Sequence, residues 1–73
     1  MRESETRKQF GALAQAAGRR LELQVCKSAA GFYLGTRDDD GAPFTRESQE
    51  YWSKRERAEQ ALTSGRWTQK RQL

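Results

Sequence analysis

Apolar positions recur along this chain first at helical spacing and then at strand spacing. Phe10, Leu13, Ala14 and Ala17 fall at i, i+3, i+4 and i+7, one face of a helix. Ala12 and Ala16 add helix propensity. Thr6 and Gln9 have capping-box spacing, with Ser4 as a rival N-cap, and Gly18 beside Arg19 and Arg20 supplies a stop. These signals predict a first helix over residues 5–17, with Gly11 inside it at a cost of about 1 kcal/mol relative to Ala.

The period then changes to two. Leu21, Leu23 and Val25 alternate with Glu22, Gln24 and Cys26, as in a strand with one buried face. Ser28-Ala29-Ala30-Gly31 reads as a turn into a second strand, in which Phe32, Leu34 and Thr36 alternate with Tyr33 and Gly35. Asp38-Asp39-Asp40-Gly41 is the next turn. A third strand follows Pro43, at 44–47, at 49–52, or at both with a bulge at Glu47-Ser48. Ser53-Lys54-Arg55-Glu56 matches a capping box opening a second helix, whose narrow stripe is Ala58, Ala61 and Leu62 and whose stop is Gly65. Trp67, Gln69 and Arg71 alternate with Thr68 and Lys70, which leaves room for a short terminal strand. The expected fold is α+β, in the order α-β-β-β-α, with one antiparallel sheet and both helices packed on one of its faces. One small domain over residues 1–73 is expected, with 1–4 and 72–73 frayed.

Composition limits what such a domain can do. Nine of the apolar residues are alanines, leaving six Leu, three Phe, two Trp, two Tyr and single Val, Met and Cys residues to build a core. Each contributes roughly 1.5–3 kcal/mol when buried, so the core only just offsets chain entropy and no deep active site is expected. The seven aromatics, set in periodic patterns, argue against disorder despite a charged fraction of 33%. The chain has no histidine, which removes Ser-His and Cys-His catalysis, and its lone Cys26 provides neither a zinc site nor an internal disulfide. No cofactor or metal is expected, and the chain reads as a non-enzyme. A small domain without disulfides suits a reducing cytoplasm, and the N-terminus shows no apolar signal core or membrane span.

Charge gives the clearest functional direction. The net charge of +4 divides into +3 over residues 1–20, −3 over 21–53 and +4 over 54–73. Helices sharing one face would make that face positive. Lys54, Arg55, Arg57, Arg66, Lys70 and Arg71, with Arg19 and Arg20, are the candidate phosphate contacts, because guanidinium groups fork onto phosphate oxygens and helix N-termini add N–H donors. The blander alternative is a solvated helix face, with Arg55 and Glu59 as an i,i+4 pair. Tyr33, Tyr51 and Trp67 are candidates for an interaction surface, against their use as core. Asp38, Asp39 and Asp40 read as a turn, since consecutive aspartates lack calcium-loop spacing. Cys26 reads as a half-buried filler. Glu47, Glu50 and the aspartates lack the cleft a glycosidase carboxylate pair requires.

The element order over residues 8–62, with basic Ser53-Lys54-Arg55 at the second helix, resembles the double-stranded-RNA-binding domain. The resemblance implies a second helix that grips phosphates across a groove. It is one of topology: that family's Lys-Lys-x-Ala-Lys signature and its His-bearing loop are absent here, and the chain continues into Trp67-Thr68-Gln69. Two functions follow as expectations. One is a nucleic-acid-binding accessory or regulatory module that uses a basic helical face on DNA or RNA backbones. The other is a protein–protein module, either a homodimer pairing open strand edges or an adaptor for an acidic protein partner.

Overall fold

Strand pairing organises the molecule around one central strand. In the computed structural model, which describes residues 9–71, α1 (Ala12–Ala16) is followed by β1 (Gln24–Ser28), β2 (Gly31–Arg37), β3 (Pro43–Arg46) and α2 (Arg55–Ser64). The strands form one antiparallel sheet in the order β1-β2-β3, and the expected α-β-β-β-α arrangement is what the chain adopts. Among the described residues no helix is long and apolar enough to cross a membrane.

The two helices share one face of the sheet. Leu34 is fully buried and clusters with Leu23 and Ala58, while Val25, Phe32, Trp52, Leu62 and Trp67 pack around them. Ala-rich α2 approaches closely because its inward positions, Ala58 and Ala61, are small, and the aromatics fill the space they leave. Gln9 donates to the Leu62 carbonyl at 2.9 Å and ties the approach to α1 onto the end of α2.

The hairpin and turns follow the residues that specify them. Ser28 faces Gly31 across a two-residue turn, and the Ser28 hydroxyl accepts from the Ala30 N–H and donates to the Gly31 carbonyl, both at 3.2 Å. Gly31 has φ +130°, and a side chain there would also meet the Trp52 carbonyl at 2.8 Å. At the second turn the Asp38 carboxylate accepts from the Asp40 and Ala42 N–H groups at 3.0 Å, so the first aspartate is a turn-former. Gly65 ends α2 in the left-handed conformation, as its position requires.

The first of the predicted segments forms the third strand, and the second contributes a single bridge at Trp52. β3 pairs with β2 from Pro43 to Arg46; the chain then bulges, and Trp52 rejoins β2 through two 2.8 Å bonds with Phe32. Within the bulge the Glu47 and Ser48 N–H groups both reach the Leu34 carbonyl, and the Ser48 hydroxyl accepts the Leu34 N–H at 3.0 Å. A side chain thus replaces the missing ladder carbonyl. The terminal strand is reduced to one bridge, Ser48 with Gln69, flanked by Gln49 N–H to the Thr68 carbonyl and Lys70 N–H to the Glu47 carbonyl.

Helix starts differ from expectation. Residues 9–11 are extended rather than helical: Phe10 bridges Glu22, and Gly11 donates to the Leu21 carbonyl. Residues 5–8, with Thr6 of the predicted capping box and the rival Ser4, lie outside the described residues. Gly11 is the N-cap of a five-residue helix and not an interior glycine. A helix of that length does not persist on propensity alone and requires an external partner. For α2 the N-cap is Lys54, without a side-chain cap bond, so the Ser53–Glu56 capping box is not formed.

Candidate nucleic-acid interface

The external partner of α1 is Glu47, which is completely buried. Its carboxylate accepts from the Leu13 N–H at 3.0 and 3.1 Å, the Ala14 N–H at 3.1 Å, the Thr45 hydroxyl at 2.6 Å and the Gln69 amide at 2.7 Å. Thr45 spends its one hydroxyl proton on Glu47, so the 2.6 Å Thr36–Thr45 contact is donated by Thr36. Burial alone would push the Glu47 carboxyl upward, but the donors from Leu13, Thr45, Gln69 and Ala14 outweigh it and hold the pKa below its ordinary 4.5. A side chain at Gly11 would stand 2.5 Å from the Glu47 Oε2 and 2.6 Å from the Thr36 methyl, so only glycine admits this carboxylate. Glu47 is therefore a helix cap supplied from 34 residues away, not half of a catalytic pair.

The same residue positions the C-terminal segment. The Glu47 carbonyl accepts from the Lys70 N–H at 2.6 Å and from the Gln69 amide at 3.2 Å. Glu50 assists: its carboxylate accepts the Thr68 N–H at 2.9 and 3.0 Å, and these bonds lower its pKa against the opposing effect of burial. The Gln69 side chain points to Glu47, and Lys70 and Arg71 border a shallow depression of about 430 Å³ with Arg46 and Gln49.

Arg46 was hidden in the sequence by the acidic segment around it. It pairs with Gly35, and Gly35 follows the Cys26–Tyr33 pair on alternating positions, so all of them belong to the sheet face turned away from the helices. The Arg46 Nε donates to the Ser48 carbonyl at 3.1 Å, its Nη1 donates to the Tyr51 hydroxyl, and the guanidinium carbon lies 4.8 Å from the Tyr51 ring centre. Tyr51 meets Tyr33 edge-on at 5.9 Å. Tyr51 is 38% exposed whereas Tyr33 is 6% exposed, so of the three predicted surface aromatics Tyr51 is the accessible one. Burial, then the adjacent Cys26 thiol, push the Tyr33 hydroxyl pKa upward. Trp67 packs against the apolar core, and Cys26 is fully rather than half buried.

The other predicted cations sit in several surroundings. Arg55 lies 5.4 Å from the Phe32 ring centre and Lys27 lies 5.7 Å from it, so Arg55 covers an aromatic ring. Arg57 and Arg66 line a broad depression of about 780 Å³ together with Glu56, Glu59 and Trp52. Lys54 is exposed at the N-cap of α2. Arg19 lies 5.4 Å from the Phe44 ring centre and 3.7 Å from the Asp39 carboxylate, and Arg20 lies 4.4 Å from the Phe10 ring centre. Arg46, Lys70 and Arg71 are thus brought together, while the cations of α2 are interleaved with carboxylates. Among the described residues no group of three His, Cys, Asp or Glu side chains could hold a metal ion. No protein family, curated protein or solved structure matches this chain, so the likeness to the double-stranded-RNA-binding domain rests on element order alone.

Proposed function

We propose that this chain is a non-enzymatic nucleic-acid-binding module of accessory or regulatory type, and that it holds a phosphate backbone at the corner formed by Arg46, Lys70 and Arg71. The observation that carries this reading is the meeting of these three cations, with the Gln49 amide, around one shallow depression. A shallow, open site suits a polyanion lying across it, whereas a small metabolite requires enclosure. Of the nearby carboxylates, Glu47 is buried as the cap of α1, and Glu50, at the surface, accepts the Thr68 N–H. Arg46 is held by Ser48 and Tyr51 before any ligand arrives, which lowers the ordering cost of binding.

Fluorescence anisotropy with labelled DNA and RNA, across a salt series, tests the reading. Three phosphate contacts predict log K falling against log salt with a slope of about −2 on single strands. Affinity that ignores salt, or no binding at low salt, removes the proposal. If an acidic protein competes for the corner and nucleic acid does not, the chain is instead an adaptor for that class of partner.

A further inference from the structure

Resting on the nucleic-acid reading, we propose that the ligand is single-stranded and that an unpaired base stacks at Tyr51. One cation of the corner, Arg46, lies 4.8 Å from the centre of the exposed Tyr51 ring. Tyr51 is fixed on the sheet by the edge-on contact with Tyr33 and by the hydrogen bond from Arg46, so its ring is already oriented. Arg46 spends N–H donors on the Ser48 carbonyl and the Tyr51 hydroxyl, and among the described residues its remaining donors have no acceptor. A strand whose phosphates lie over Lys70, Arg71 and Arg46 brings its base to the Tyr51–Arg46 pair. Duplexes keep their base faces stacked inside the helix and cannot use such a ring; unpaired bases can, and stacking on tyrosine or on a guanidinium plane is how single strands are held.

Phe44 is the natural comparison, because among the described residues it is the other exposed large apolar side chain, at 37%. The cation over it, Arg19, is paired with Asp39, so that ring sits beside a neutralised charge. The cation over Tyr51, Arg46, instead shares its depression with Lys70 and Arg71. Charge complementarity to a strand therefore exists at Tyr51 and not at Phe44.

The experiment compares a labelled single strand of about twelve nucleotides, a length within known single-strand site sizes, with the duplex of the same sequence. Wild-type protein is expected to prefer the single strand by about tenfold, within the range of one stacked base. Tyr51→Ala should abolish that preference while leaving weaker, salt-dependent binding to both forms. Tyr51→Phe keeps the ring and should keep the preference, and thermal melts of both variants separate lost stacking from lost folding. Equal affinity for the two forms in the wild type overturns the single-strand inference and leaves the phosphate reading intact. Unchanged preference in a folded Tyr51→Ala protein overturns the role of Tyr51. Absence of binding to either form overturns both.

Discussion

The α2 flank and the corner where residues 46–51 meet 68–71 are both rich in cations, but they present them differently. Along α2, Arg55 lies over Phe32, and Arg57 and Arg66 share their depression with Glu56 and Glu59. At the corner, Arg46, Lys70 and Arg71 converge, and the nearest carboxylates, Glu47 and Glu50, are occupied by backbone N–H groups. On the proposed function, position and not number of charges decides which region would receive a polyanion. The supports differ as well. Burial of apolar side chains against Leu34 holds α2, whereas one buried carboxylate joins α1, β3 and the C-terminal segment that carries Lys70 and Arg71.

Removing that carboxylate is the strongest way to break the contrast. Glu47→Ala leaves the Leu13 and Ala14 N–H groups and the Thr45 hydroxyl without this acceptor, removes one of the acceptors of the Gln69 amide, and is expected to cost about 3–5 kcal/mol in chemical denaturation. For a small domain that approaches the whole of its stability. Leu34→Ala strikes the apolar side instead and should cost about 2–5 kcal/mol, with no dependence on pH.

Acidity sharpens the comparison further. The folded-state pKa of Glu47 lies below its ordinary 4.5, so the stabilisation it supplies is complete above that value and is lost as pH falls through 4.5 and then through the lower folded value. Glu47→Gln should cost about 1–3 kcal/mol at neutral pH and flatten most of this acid-side decline, the remainder belonging to Glu50, whose pKa is lowered in the same direction. Stability measured by urea titration from pH 7 downward reads both effects. The smallest expected change is at Ser53. Because α2 starts at Lys54 without a side-chain cap, Ser53→Ala should shift stability by no more than about 0.5 kcal/mol; a loss of about 1 kcal/mol or more would mean that a cap forms there after all.

Much of the fold was legible because it depends on local periodicity. The change from helical to alternating spacing after Gly18, the two turns and Gly65 place the elements in their observed order. The third strand was legible as one of the segments after Pro43, with a bulge at Glu47-Ser48 among the alternatives. What remained hidden depends on contacts distant in sequence. The start of α1 is set by Glu47, 34 residues from Leu13, and so a helix read from Ala propensity and Thr6–Gln9 spacing extends too far toward the N-terminus. Arg46 was obscured because charge was counted along the chain, where it stands among six acidic residues of 21–53. Folding turns Glu47 inward and brings Arg46 beside Lys70 and Arg71, a regrouping that no count along the chain contains. The three cations that meet at the corner accordingly come from β3 and the C-terminal segment.

One measurement separates the two regions directly: the affinity for a labelled single strand at low salt of an Arg46→Ala, Lys70→Ala, Arg71→Ala triple variant and of an Arg55→Ala, Arg57→Ala double variant. The triple variant, with its three phosphate contacts gone, is expected to lose about a hundredfold in affinity. The double variant should stay within about threefold of the wild type, as distant charges contribute only weakly through screened solvent. Loss of binding in the double variant with retention in the triple would contradict the account and return the interface to the face of α2.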